Sequence, residues 1–295
     1  MAIKEAIELE KAGGQVTPRH IFIQKEGSAV SDSDPRELIG TQPDGKVILE
    51  TARIDSIAYQ SSFHPENCTG NVPVNLSLFS KADFSQAVKS IGRAFRVGLC
   101  VSDLVAVAGE GKRLGGMIIP RGNIGLMTLS QIAVKGALLK AGIPVYSKFG
   151  GLIQIRNFEP LRFVDLIEYT GISLDPSEVF ITAKMTSVNE AIRNGSGKIL
   201  AGFWEIPSSA RPKAEVVREK LEMRGMGGFL KLGKEGESIC ETSVRLGRVG
   251  MIIIDGLNPV AAAVEAGATM INHHVSGLIE FSKLRSFRDL CGNWG

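Results

Sequence analysis

At 295 residues the chain is long enough for two domains of ordinary size or one large one. Hydrophobic residues at 44% and charged residues at 22% exclude wholesale disorder, and the absence of a run of about eighteen apolar residues argues against a membrane span. Thirty-four basic against 31 acidic residues give a formal charge of +3, too little to advertise a phosphate-binding surface. The start, Met1-Ala-Ile-Lys-Glu-Ala-Ile-Glu8, mixes charges into its apolar positions and is no secretory signal. Cys68, Cys100, Cys240 and Cys291 stand singly, with no C-x-x-C pair for zinc or redox work. The expectation is a soluble cytoplasmic protein without a metal.

Residues 1–51 form an extension. One short helix fits Ile3 to Lys11, and turn clusters at Thr17-Pro18, Ser31 to Pro35 and Gln42 to Gly45 follow it. A helix-turn-helix needs successive amphipathic helices with short joints, and this segment does not supply them. From Val72 the pattern is orderly. A strand over Val72–Phe79 leads to a helix capped by Asp83, with apolar residues at helical spacing from Phe84 to Phe95. Leu99–Ala108 is a second strand, Gly109–Gly116 a glycine-rich hairpin and Asn123–Leu129 a third strand. A small-residue helix over Ile132–Ala141 stops at Gly142, and Pro144–Lys148 is the fourth strand.

The same order, β-α-β-β-α-β, returns over 198–285. Strands at Lys198–Ile206, Gly228–Leu232, Arg248–Asp255 and Thr269–His273 enclose helices at Ala214–Arg224 and Pro259–Ala266. At a spacing of about 125 residues, Gly125, Ala141 and Gly142 meet Gly250, Ala266 and Gly267. The fold class is therefore α+β: tandem ferredoxin-like units with antiparallel sheets, at 52–150 and 198–285. A strand-containing connector at 151–197 joins them, with extra strands expected at Leu152–Ile155, around Leu161–Tyr169 and over Glu178–Val188, and a tail at 286–295 ends the chain. Both helices of each unit lie on one side of its sheet, so the other face needs a cover, and a homodimer is the physical default.

Several chemistries fail on spacing. Gly109-Glu-Gly-Lys-Arg113 and Gly195-Ser-Gly-Lys-Ile199 lack the Ser or Thr after Lys, and the earlier glycine, that a P-loop needs. His273 and His274 are adjacent on a strand and face opposite ways. No nucleophile elbow and no aromatic plait for RNA is present, so no catalytic residue is assigned. What remains is a supply of anion donors: Thr186, Ser187, Arg193, Ser196 and Lys198, with Ser130 and Asn258 at equivalent helix starts of the two repeats. Capping and turn formation explain each singly; together they suit a small dicarboxylate.

The runs Ile57-Ala-Tyr-Gln-Ser-Ser-Phe63, Val74-Asn-Leu-Ser-Leu78, Leu139-Lys-Ala-Gly-Ile-Pro144, Gly195-Ser-Gly-Lys-Ile-Leu200 and Gly250-Met-Ile-Ile-Ile-Asp-Gly-Leu-Asn-Pro259 carry a further implication. They resemble, in colinear order from about Ala52 to Lys283, the regulatory domain of the NrpR family of archaeal nitrogen-gene repressors. The resemblance implies a non-enzymatic transcription regulator, dimeric, with 2-oxoglutarate as effector and no other cofactor. Without a helix-turn-helix it implies a DNA-binding partner or a transcription-machinery protein, and no autonomous nucleic-acid binding. An enzyme built on the same pocket and a non-sensing scaffold are the alternatives.

Overall fold

The computed structural model describes residues 49–291, and along 271–276 and at 291 the backbone alone. The expected helix near Ile3 and the turn clusters before Gly45 lie outside the described residues. The chain opens with α1 (Glu50–Gln60), which the sequence reading missed, and continues through β1 (Asn71–Ser80) and α2 (Lys81–Arg96). Then follow β2 (Leu104–Gly109), the hairpin β3 (Arg113–Leu114) and β4 (Met117–Ile118), β5 (Asn123–Leu129) and α3 (Ile132–Lys140). The connector holds β6 (Tyr146–Arg156), β7 (Glu159–Glu168), α4 (Pro176–Thr182) and α5 (Val188–Asn194). The second repeat comprises β8 (Gly197–Pro207), α6 (Arg211–Glu222), β9 (Phe229–Glu235), β10 (Arg248–Ile254), α7 (Asn258–Glu265) and β11 (Met270–Glu280). β12 (Arg285–Ser286) and α8 (Phe287–Cys291) follow.

Two five-stranded sheets result, in the orders β11-β1-β5-β2-β12 and β7-β6-β8-β10-β9. Every paired neighbour in them is antiparallel. Each contains the ferredoxin-like order fourth-first-third-second, but the two fourth strands have changed places. β6 follows the first repeat's second helix yet pairs with β8, Leu152 opposite Leu200. β11 follows the second repeat's second helix yet pairs with β1, Val72 opposite Ile279. The segments 52–150 and 198–285 thus each place their first three long strands in one sheet and the last in the other. β1 is buried on both faces from Val72 to Phe79, so the exchanged strand completes a core rather than decorating an edge.

Local chemistry explains the boundaries. α2 is capped by Ser80, whose hydroxyl accepts from the Asp83 N–H, so Asp83 sits in the first turn rather than at the cap the sequence suggested. Gly142 and Gly267 stop α3 and α7 with φ of +73° and +95°. The expected strands at Pro144–Lys148 and Leu152–Ile155 are one continuous β6. Gly150 and Gly151 do not break it; a Cβ at Gly150 would stand 2.7 Å from the Pro176 side chain, and one at Gly151 2.5 Å from the Asp165 carbonyl oxygen. The strand expected over Glu178–Val188 is instead helical at both ends. Asp175 accepts from the Ser177 and Glu178 N–H groups to start α4, and Phe180 and Ile181 bury its inner face.

Candidate functional site

A cleft of about 500 Å³ opens between α2, α5 and α7. α5 begins after Thr186-Ser187 and ends at Gly195, whose φ of +75° reverses the chain into β8. Gly197 is required there, because a Cβ would lie 2.5 Å from the Ser187 carbonyl oxygen. The turn therefore presses the Ser187 backbone onto the start of β8. The Ser187 N–H donates to the Lys198 carbonyl at 2.9 Å, and the Lys198 N–H donates back to the Ser187 hydroxyl at 2.7 Å.

Thr186, Ser187 and Arg193 line the cleft. The Thr186 hydroxyl is already committed, donating to Glu265 of α7 at 2.7 Å. The same carboxylate accepts from the Val188 N–H at 2.7 Å and the Asn189 N–H at 2.8 Å. The protein thus fills the donor-rich start of α5 with its own carboxylate, a contact between residues almost eighty positions apart that no local spacing signals. Ser196 lies just outside, in a turn where its N–H donates to Asn194 Oδ1. Lys198 opens β8 beside Gln154 and is not among the lining residues.

Ser130 and Asn258 are elsewhere, fully buried. The Ser130 hydroxyl accepts from the Ile132 N–H. Asn258 accepts from the Leu200 N–H and donates to the Leu200 and Asp255 carbonyls, so its amide serves β8 as a short piece of neighbouring strand. They are not equivalent positions either. Ser130 follows β5 as Asp255 follows β10, whereas Asn258 is the first residue of α7.

The sequence reading missed Glu265 and the whole α2 wall of the cleft. Ser90 and Arg93 sit one turn apart on α2, so one face of that helix brings both to the cleft. Among the described residues the side chains of Arg93 and Arg193 form no ion pair or hydrogen bond, in contrast to Arg245, which bonds the buried Glu205 at 2.7 Å. Nothing in the sequence separates Arg93 from Arg96 beyond their shared place at the basic end of α2.

A second polar cluster lies inside the molecule. Asp255 accepts from Gln131 at 2.7 Å, from Ser177 at 2.8 Å and from its own Leu257 N–H at 2.8 Å. Burial pushes the neighbouring Asp175 carboxyl up to about 6, opposed by the N–H groups it caps and by Arg53. Burial, with the nearby Asp175 and Asp255 charges, also holds the Tyr169 phenol well above its ordinary range. Lys135, buried on α3, bonds Asp55 and Ser147; desolvation lowers its pKa and the Asp55 contact raises it in part. Their bonds tie α1, α3, α4 and the sheets together. Among the described residues no helix is long and apolar enough to cross a membrane.

A family model described as NrpR regulatory domains NRD1 and 2 matches residues 48–286. The chain belongs to the NrpR regulatory domain family. This NrpR-type chain is 35% identical over 234 residues to Global nitrogen regulator NrpRI of Methanosarcina mazei, covering 79% of itself and 72% of that protein. It is 23% identical over 276 residues to Global nitrogen regulator NrpR of Methanocaldococcus jannaschii, covering 94% of itself and 47% of that longer relative. In fold it is similar to the crystal structure of a nitrogen repressor-like protein from Methanococcus jannaschii, with a TM-score of 0.68 at 24% identity over 82% of this chain and all of the other. The tandem ferredoxin-like architecture is therefore that of an NrpR-type protein.

Proposed function

We propose that the chain is the effector-responsive part of a transcription regulator of nitrogen genes, and that its effector is a small dicarboxylate, 2-oxoglutarate. Membership of the NrpR family supports the regulatory role. The observation that carries the effector reading is the cleft itself, where Arg93 and Arg193 stand on α2 and α5 without an acidic partner among the described residues. A carboxylate loses much on leaving water and needs such charged donors in return. Control of DNA passes through a homodimer or a DNA-binding partner, since a net charge of +3 with interspersed signs offers no concentrated basic face.

Thermal unfolding of the full chain with 2-oxoglutarate, glutamate, glutamine and a nucleotide tests the effector. At about a hundred times its Kd, 2-oxoglutarate should stabilise the protein by about 2.7 kcal/mol. Arg193→Ala should weaken that binding by about 1.5–3 kcal/mol, the worth of a charge-assisted hydrogen bond. No response to 2-oxoglutarate at millimolar concentration would end the effector reading. A shift of a nitrogen-gene promoter fragment by the purified chain alone, at physiological salt, would end the partner reading.

A further inference from the structure

We propose that Ser90 and Arg93 of α2 form, with Arg193 of α5, a two-sided clamp for the carboxylates of one small dicarboxylate. The inference rests on the reading of this cleft as the effector site, and it adds the wall on α2. Ser90 is only 5% exposed and lines the cleft, yet its hydroxyl bonds nothing among the described residues. Its place in the lining makes the cleft the side from which an acceptor for that hydroxyl can come. Arg93 lies one turn further along the same face, so a carboxylate at Ser90 meets its guanidinium as well. Arg193 supplies the second guanidinium from the facing helix, and each planar fork can hold one carboxylate by two parallel bonds. A cleft of about 500 Å³ falls within the usual range for small-molecule sites, about 300–1,000 Å³.

Two carboxylates of the protein face the same space. Glu265 is held by the Thr186 hydroxyl and two N–H groups of α5, which absorb its charge. Glu190 is exposed at the rim with no such partner among the described residues, and it opposes a second anion. The clamp also has a mechanical consequence. α2 follows β1 of one sheet and α5 leads into β8 of the other, so a ligand that bridges them joins the two exchanged sheets.

Titration calorimetry of the full chain with glutarate, 2-oxoglutarate and inorganic phosphate tests the clamp. Arg93→Ala and Arg193→Ala should each weaken dicarboxylate binding about 10- to 100-fold, and Ser90→Ala by a smaller factor, with unfolding midpoints unchanged. Glu190→Gln should tighten binding several-fold. Arg96→Ala, on the same helix but outside the cleft lining, should leave it unchanged. Glutarate binding that depends on Arg93 and Ser90, without 2-oxoglutarate binding, would support the clamp while ending the 2-oxoglutarate reading. Binding of 2-oxoglutarate that survives both α2 substitutions would overturn the clamp and leave that reading intact. Binding of phosphate alone, or of nothing in the panel, would overturn the clamp outright.

Discussion

The Gln131 amide donates to the Asp255 carboxylate across 2.7 Å, and both side chains are buried. Gln131 immediately precedes α3 and Asp255 immediately follows β10, the third strand of the second repeat, so this bond joins the two stretches where the chain crosses toward the other sheet. Gln131→Leu leaves Asp255 short of one donor in a dry interior. We expect a loss of about 1–3 kcal/mol in urea unfolding. A change below about 0.5 kcal/mol would mean that Ser177 and the Leu257 N–H satisfy the carboxylate unaided.

The crossing is also tight. A Cβ at Gly256 would lie 2.0 Å from the Leu129 carbonyl oxygen, a backbone atom that cannot swing aside. Gly256→Ala should therefore force the two crossovers apart and abolish soluble expression or cost several kcal/mol. Gly116→Ala, where nothing lies within 4 Å of a Cβ, serves as the tolerated comparison. Equal midpoints for the two variants would refute the close approach.

Asp175 gives the stability a pH dependence of known sign. Its carboxyl titrates at about 6 in the folded protein, above the ordinary 3.8, because burial disfavours its charge. Arg53 and Tyr169 interact with it, and Asp255 and Glu50 act on the same Tyr169 phenol. The folded state holds this proton more tightly than the unfolded chain, so stability contributed by the group is present below about 4 and is lost as pH rises through about 6. Asp175→Asn keeps an oxygen to cap α4 but removes the titration. The stability difference between variant and wild type should move in the variant's favour between pH 4.5 and 7, and a flat difference would contradict the assignment.

Strand exchange makes the halves interdependent. A fragment of residues 1–170 carries β6 without β8 and lacks β11, the strand that lies along β1, and a fragment of residues 171–295 carries β11 without β1 and lacks β6, the strand that lies along β8. Neither should unfold cooperatively alone, whereas the two should co-purify when expressed together. Independent, sharply melting fragments would show that each repeat can recover its own fourth strand.

Much of the architecture was legible in the letters. Alternation marked β1 and β5 to within a residue or two, and Gly142 and Gly267 marked the ends of α3 and α7. The repeated β-α-β-β-α-β order gave the antiparallel ferredoxin-like sheets, because short periodic segments with strong punctuation leave few alternatives. The family, too, could be read from runs such as Gly195-Ser-Gly-Lys-Ile-Leu200. Tertiary structure decided which strand each sheet receives, since the periodicity of β6 and β11 says that they pair but not with whom. It decided that Val179-Phe-Ile-Thr182 is helical, where a buried cap at Asp175 outweighs β-favouring side chains. It also decided the fate of the anion donors: Glu265 arrives from far along the chain and takes Thr186, while Ser90 and Arg93 are brought to Arg193 from a helix about a hundred residues earlier. Local pattern fixes how a segment folds; which groups meet depends on long-range packing, and that is where this cleft is made.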